Sequence, residues 1–222
     1  MIASGAFLQG IKIVGFDFDQ TLVDEAFSVR TRWAATLTEF KHLSPELEAT
    51  FLKIFEEKGY RYKTHLNEAL AKLNLSETEH LMPILERFRA SQSETEKVYD
   101  SAPEAVSFFK EHGMRVGIIT DGIQSYQEDR LKKSGLYEHF DFVYYGDMHK
   151  KPDPAFFQTV LDDEQVAPHE LLFIGDHVQK DIAGALGVGA KAVWIAEGST
   201  EKVPHEALYF KNMYTFLTWL KQ

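Results

Sequence analysis

Five short apolar runs, each cut off by polar residues, constrain this chain more than any other feature in it. They are IKIVGFDFD (11–19), RVGIITDG (115–122), FVYYGD (142–147), LLFIGD (171–176) and KAVWIAEG (191–198). Near-continuous Val/Ile/Leu/Phe runs of this length suit parallel strands buried on both faces. Helical patterns separate them. SAPEAVSFFKEHG (101–113) opens with Ser101 and Glu104 at capping-box spacing and closes on Gly113. Asp153 and Pro154 pair an N-cap residue with a proline at the first helical position. The tail from about 207 to 221 sets Phe210, Met213, Leu217 and Leu220 on one helical face. Strand and helix in alternation predict an α/β fold, a doubly wound, Rossmann-like parallel sheet.

The gap between the first two runs is too long for one crossover. Residues 26–97 carry helical patterns and no convincing strand: Leu47, Phe51, Ile54 and Phe55; then Leu66, Ala69, Leu70 and Leu73; then Leu81, Leu85 and Phe88. The expected organisation is a core of residues 1–25 and 98–222 with a small helical cap, 26–97, inserted after the first strand.

Charge narrows the partners. The net charge of −10 argues against nucleic acid, whose backbone needs clustered Lys and Arg, and against an anionic membrane surface. Residues 24–98 hold 11 Lys/Arg against 13 Asp/Glu, a net of −2, so −8 of the total lies on the rest of the chain. An anionic substrate therefore meets a less hostile surface on the cap than on the core. The chain has no cysteine, which excludes disulfides, thiolate metal sites and cysteine nucleophiles and fits a cytoplasmic location. MIASGAFLQGIKIVGF lacks the charged start and unbroken apolar stretch of a secretion signal, and no run approaches the ~20 apolar residues that span a bilayer.

In a parallel sheet, ligands bind beyond the carboxyl ends of the strands. Those ends here supply Asp17 and Asp19, then Thr120, then Lys151 shortly after the third run, then Asp176 with Asp181 close behind. Four carboxylates cannot share a pocket cheaply, because each disfavours ionisation of the next and one lysine does not offset four. A bound cation resolves the conflict, and an all-oxygen donor set selects a hard one such as Mg2+. Any one of these acids taken alone reads better as a solvated helix cap.

GFDFDQTL, IITDG, KKPDPAFF and IGDHVQKDIAGA, in this order from about residue 11 to 195, resemble the four motifs of the haloacid dehalogenase superfamily of phosphohydrolases. The inserted helical segment falls where the phosphoglycolate phosphatase and nucleotidase-like branch carries its cap. The resemblance implies a magnesium-dependent phosphatase of a small phosphorylated metabolite. It implies Asp17 as the nucleophile that becomes an aspartyl-phosphate, and Asp19 as general acid and base, help typically worth ~10²–10⁴-fold. It implies that Thr120, Lys151 and the backbone at Asp121–Gly122 hold the phosphoryl oxygens. Asp17, the main-chain carbonyl of Asp19, and Asp176 would bind the metal, with Asp181 as a further ligand or support. A halide leaves without a proton and an alkoxide does not, so Asp19 favours phosphoester chemistry over dehalogenation.

Three departures from the family pattern stand out. Gln20 occupies a common glycine position, Asp121 replaces asparagine, and His177 follows Asp176 where serine is frequent. The simpler reading of His177 is a hydrogen bond to nearby backbone, and that of Lys150, beside Lys151, a surface charge. The stretch Lys58–His65, with Tyr60, Arg61, Tyr62 and Lys63, either closes over an anionic or ring-bearing substrate or is a solvated turn between helices, the second being favoured. Arg30 and Arg32 invite the same caution. The resemblance extends to the β-phosphoglucomutases, which share the motif residues and the cap position, so a phosphomutase is the main alternative. A phosphorylatable signalling module is the non-enzymatic one, disfavoured by the cap and by Asp19. Substrate identity and oligomeric state are not legible.

Overall fold

All five apolar runs contribute a strand in the computed structural model, which describes residues 4–58, 62–91, 96–196, 202 and 204–222. The strands are β1 (Ile13–Phe16), β2 (Arg115–Thr120), β3 (Phe142–Tyr145), β4 (Leu171–Gly175) and β5 (Lys191–Ile195), with a sixth, β6 (Leu208–Phe210), after them. Among the described residues the sheet runs in the order β3-β2-β1-β4-β5-β6, every neighbouring pair parallel. Helices in chain order are α1 (Ser4–Leu8), α2 (Glu25–Glu39), α3 (Leu47–Lys58), α4 (Tyr62–Lys72), α5 (Glu77–Ala90), α6 (Ala102–Glu111), α7 (Gln124–Lys133), α8 (Pro154–Glu164), α9 (Ala183–Gly187) and α10 (Met213–Leu220).

Side chains of the central strands alternate between two apolar layers, as the two-residue period of a strand demands. Val14, Phe16, Val116, Ile118, Leu172, Ile174 and Val193 pack with Phe109 of α6, Leu131 of α7 and Phe216 of α10. Ile13, Ile119, Leu171, Phe173, Ala192 and Trp194 point the other way, onto Phe157 and Val160 of α8 and Ala185 of α9. Phe16 lies level with Ile118 on one side and Ile174 on the other. The carboxyl ends of β1, β2 and β4 therefore finish side by side. The chain steps outward from β1 to β2 and β3, then crosses back to β4 and β5, so the strand order reverses beside β1. That is where a doubly wound sheet opens a crevice.

Two compact units divide the chain, Met1–Asp24 with Glu96–Gln222, and Glu25–Thr95. The described residues of the second unit form the helices α2–α5, whose apolar stripes meet in their own core. Trp33 stacks on Phe88 at 3.9 Å and tilts against Phe51 at 4.5 Å, with Tyr62 5.9 Å away. Arg32 Nη2 donates to the carbonyls of Phe88 (3.1 Å) and Ser91 (2.6 Å), and Arg30 pairs with Glu56 at 2.8 Å. In the stretch 58–65, Gly59, Tyr60 and Arg61 lie outside the described residues. Of the rest, Lys58 pairs with Glu68 at 2.7 Å, while Tyr62 and His65 turn inward.

Two local expectations fail. Ser101 makes no side-chain cap bond, because its backbone (φ −83°, ψ −7°) is already helical and turns the hydroxyl away from the N–H groups it would cap. Phe210 belongs to β6 rather than to the final helix, which begins at Met213 behind an Asn212 cap. A three-residue strand at the sheet edge has too little pattern to compete with a chance helical spacing. Asp153 does cap α8, accepting from Ala155 N at 2.9 Å, with Pro154 following it.

Candidate active site

Asp17 is the first residue past β1, and its N–H continues the sheet by donating to the Ile174 carbonyl at 2.9 Å. The level strand ends bring its carboxylate to Lys151, whose Nζ lies 2.6 Å from Asp17 Oδ1 and 2.6 Å from Asp181 Oδ1. All three groups are buried, Lys151 at 5 % exposure and Asp181 at 1 %. Asp181 sits in a π-helical turn, Val178–Ile182, that follows β4. The turn swings its carboxylate back over the strand end, where Oδ2 accepts from His177 N at 2.9 Å. Gly175 permits this: a Cβ there would come within 2.5 Å of the Asp181 carboxyl. The peptide of Lys151 is held by Asp121, whose Oδ1 accepts from Lys151 N at 2.8 Å while Oδ2 lies 3.3 Å from Lys180.

Among the described residues, Asp17, Asp176 and Asp181 form a carboxylate group with one oxygen of each within 4.8 Å of the others. Burial raises the Asp17 carboxyl well above its ordinary value, and Asp181, Asp176 and Asp19 add to the effect against the opposing pull of Lys151. Asp176 is pushed up to about 7, first by burial and then by Asp181. Burial would drive Lys151 down, but Asp17 and Asp181 outweigh it and hold the ammonium charged. One lysine thus leaves the acids under-compensated, and the oxygen-only donor set fits a hard divalent cation. A cavity of about 680 Å³ borders this group at Asp176, lined also by Gln20, Tyr99, Ile195, Asn212 and Tyr214.

The expected residues do not all converge on one point. Asp19 stands outside the group of three acids, its carboxylate in ion-pair contact with Arg130 (Nη1 to Oδ1, 2.7 Å) and accepting from Gln127 (Nε2 to Oδ2, 2.9 Å). Thr120, buried at the end of β2, accepts from Gln127 Nε2 at 3.1 Å, with the Gly122 N–H a distant 3.5 Å away. Lys150 is exposed, and His177 accepts from the Lys180 N–H at 3.4 Å, a backbone contact. Gln20 adopts the left-handed conformation (φ 56°) that glycine takes most readily, and accepts from the Tyr99 hydroxyl at 2.9 Å. Gln127, Arg130 and Glu96, which complete the surroundings of Asp19, were not expected there. Nothing in the polar sequence of α7 marks which of its polar residues go inward.

A haloacid dehalogenase-like hydrolase family model matches residues 14–195. A glyceraldehyde 3-phosphate phosphatase of Pyrococcus furiosus is 28% identical over 199 residues, covering 86% of this chain and 83% of the relative. Pyrophosphatase PpaX of Bacillus cereus is 32% identical over 204 residues, covering 85% and 86%. The Bacillus subtilis HAD-hydrolase YfnB, solved bound to magnesium, superposes with a TM-score of 0.71 at 19% identity over 96% of this chain and 99% of that one, a likeness of fold. The chain belongs to the haloacid dehalogenase-like hydrolases. Within that family it is an enzyme of the phosphatase kind.

Proposed function

We propose that this enzyme is a magnesium-dependent phosphatase that hydrolyses the phosphomonoester of a small metabolite through an aspartyl-phosphate on Asp17. One observation carries the reading. Asp17 is a buried carboxylate held at 2.6 Å by a buried lysine and set within 4.8 Å of two further acids. A carboxyl that burial pushes upward is a poor nucleophile unless positive charge restores its ionised form, and Lys151 supplies part of that charge. Magnesium, held by Asp17, Asp176 and the main-chain carbonyl of Asp19 with Asp181 in support, would supply the rest and neutralise the phosphoryl oxygens.

In the first step an Asp17 oxygen attacks phosphorus, the P–O bond to the leaving group breaks, and Asp19 gives that oxygen its proton. In the second, Asp19 takes a proton from water as the water oxygen attacks phosphorus. The P–O bond to Asp17 breaks and inorganic phosphate departs. The Thr120 hydroxyl hydrogen and the Lys151 ammonium would donate to the phosphoryl oxygens, with the Asp121–Gly122 backbone N–H groups assisting. The segment 25–95 is read as the cap that selects the substrate. The cavity beside Asp176 is of a size that takes small metabolites rather than macromolecules. Neither nucleic acid nor membrane is a fitting partner for a chain of net charge −10, and no helix among the described residues is long and apolar enough to cross a membrane. The lack of cysteine supports a cytoplasmic site of action.

The test is a magnesium-supplemented screen of purified protein, reading inorganic phosphate, against sugar phosphates, phosphoglycolate, phosphoserine, pyrophosphate and nucleoside monophosphates. Steady multiple turnover on at least one small monoester is the expected result. Isomerisation of a sugar phosphate without phosphate release would replace the reading with a phosphomutase. A single stable phosphorylation of the protein without turnover would replace it with a signalling module.

A further inference from the structure

We infer that Gln127 and Arg130, backed by Glu96, are positioning residues that fix the orientation of Asp19. The inference rests on the acid–base reading of Asp19. Helix α7, QSYQEDRLKK, is polar along almost its whole length, and its lysines Lys132 and Lys133 pair with Glu128 and Asp129 one turn back. Gln127 and Arg130, one turn apart, share a face and are instead buried, at 3 % and 5 % exposure. Burying an amide and a guanidinium is costly unless every strong donor is used.

Here the Gln127 amide donors go to Asp19 and Thr120, and the Arg130 guanidinium is shared among Glu96, Gln127 and Asp19. Gln127 Nε2 donates to Asp19 Oδ2 (2.9 Å) and to Thr120 Oγ1 (3.1 Å), and its Oε1 accepts from Arg130 Nη1 at 2.9 Å. Arg130 Nη1 lies 2.7 Å from the other Asp19 oxygen. One carboxylate oxygen thus accepts a hydrogen bond from this helix face and the other stands in ion-pair contact with it, and the same amide ties Asp19 to the hydroxyl at the end of β2. The Arg130 fork is itself locked, with Nε and Nη2 donating to the two oxygens of Glu96 at 2.9 and 3.0 Å. The Glu96 side chain is 1 % exposed and supplies the counter-charge, so the guanidinium need not be neutralised by Asp19 alone. The loop after β2 is also kept bare for this arrangement: a Cβ on Gly122 would fall 2.1 Å from Gln127 Cγ.

A buried ion pair that serves only the fold is indifferent to the leaving group, and a positioning network is not. The experiment compares kcat/KM for phenyl phosphate, whose leaving group needs a proton, with p-nitrophenyl phosphate, whose leaving group barely does. The variants are Asp19→Asn, Gln127→Leu, the paired Glu96→Leu/Arg130→Met, and Gln127→Leu in the Asp19→Asn background, each checked for cooperative unfolding. The pair removes both charges together, which avoids stranding one in the interior. Gln127→Leu and the pair should each lower kcat/KM for phenyl phosphate by about 10–100-fold, with a distinctly smaller loss on p-nitrophenyl phosphate. Gln127→Leu should cost nothing further once Asp19 is Asn. If Asp19→Asn discriminates between the substrates while folded Gln127→Leu does not, or if the losses add, the positioning role is refuted and the acid role stands. If Asp19→Asn itself affects both substrates equally, the acid–base reading beneath the inference falls.

Discussion

Lys151→Met is the most exposing perturbation of this site. It leaves Asp17 and Asp181, each 2.6 Å from the lost ammonium, facing one another in the interior without their shared counter-charge. The methionine itself is tolerable, since Lys151 Nζ already lies 5.1 Å over the Phe173 ring. Breaking a buried ion pair by removing one partner typically costs about 3–5 kcal/mol, a large share of the ~5–15 kcal/mol that stabilises a domain. The loss should depend on pH in a definite direction. A carboxyl held above its ordinary value keeps its proton in the fold after the unfolded chain has released it. Asp17 is raised even with the lysine present, and without it the rise is larger. The native variant therefore binds more protons than its unfolded chain above about pH 4, and its stability falls as pH rises from there. Urea unfolding of wild type and variant in a chelator at pH 5 and pH 8 measures this. The expected difference is about 1–2 kcal/mol at pH 5 and about 3–5 kcal/mol at pH 8. Millimolar Mg2+ should narrow the pH 8 gap by stabilising the ionised acids. An equal loss at both pH values, or a gap that widens toward acid, would refute the argument that the Lys151 ammonium offsets the burial that raises Asp17.

Other expectations follow from the same geometry. Asp17→Asn should abolish detectable phosphate release while leaving a cooperative unfolding transition, and near-normal turnover would overturn its assignment as nucleophile. Because Asp176 is pushed up to about 7, Mg2+ must compete with its proton below that pH. Affinity measured by calorimetry should rise from pH 6 to pH 8 with proton release on binding, and a flat profile would contradict that environment. The two helix starts predict opposite outcomes in thermal or urea unfolding. Asp153→Ala should cost about 1 kcal/mol through its lost cap bond to Ala155, whereas Ser101→Ala, with no such bond to lose, should cost less than about 0.5 kcal/mol.

What could be read from residue order alone was whatever a segment decides by itself. A buried parallel strand requires its own apolar run and a polar stop, so β1 to β5 were legible, whereas the reversal of strand order beside β1 belongs to the fold. The helical stripes of residues 47–88 were legible because a 3.6-residue period over two or more turns is hard to imitate. The edge strand β6 was not, since three half-exposed residues carry almost no period.

Tertiary structure alone decided the environment of Asp19. Whether a glutamine or arginine on a polar helix faces water or a carboxylate depends on what lies opposite it. For Gln127 and Arg130 those partners are Asp19, 108 residues from Gln127, and Glu96, 34 from Arg130. The bareness of Gly122 and Gly175 was likewise meaningful only once Gln127 and Asp181 had come to occupy the space. Apolar burial is announced in the chain because it is summed over many residues. The burial of a single polar group is a pairwise event, decided by a partner that the local sequence does not contain.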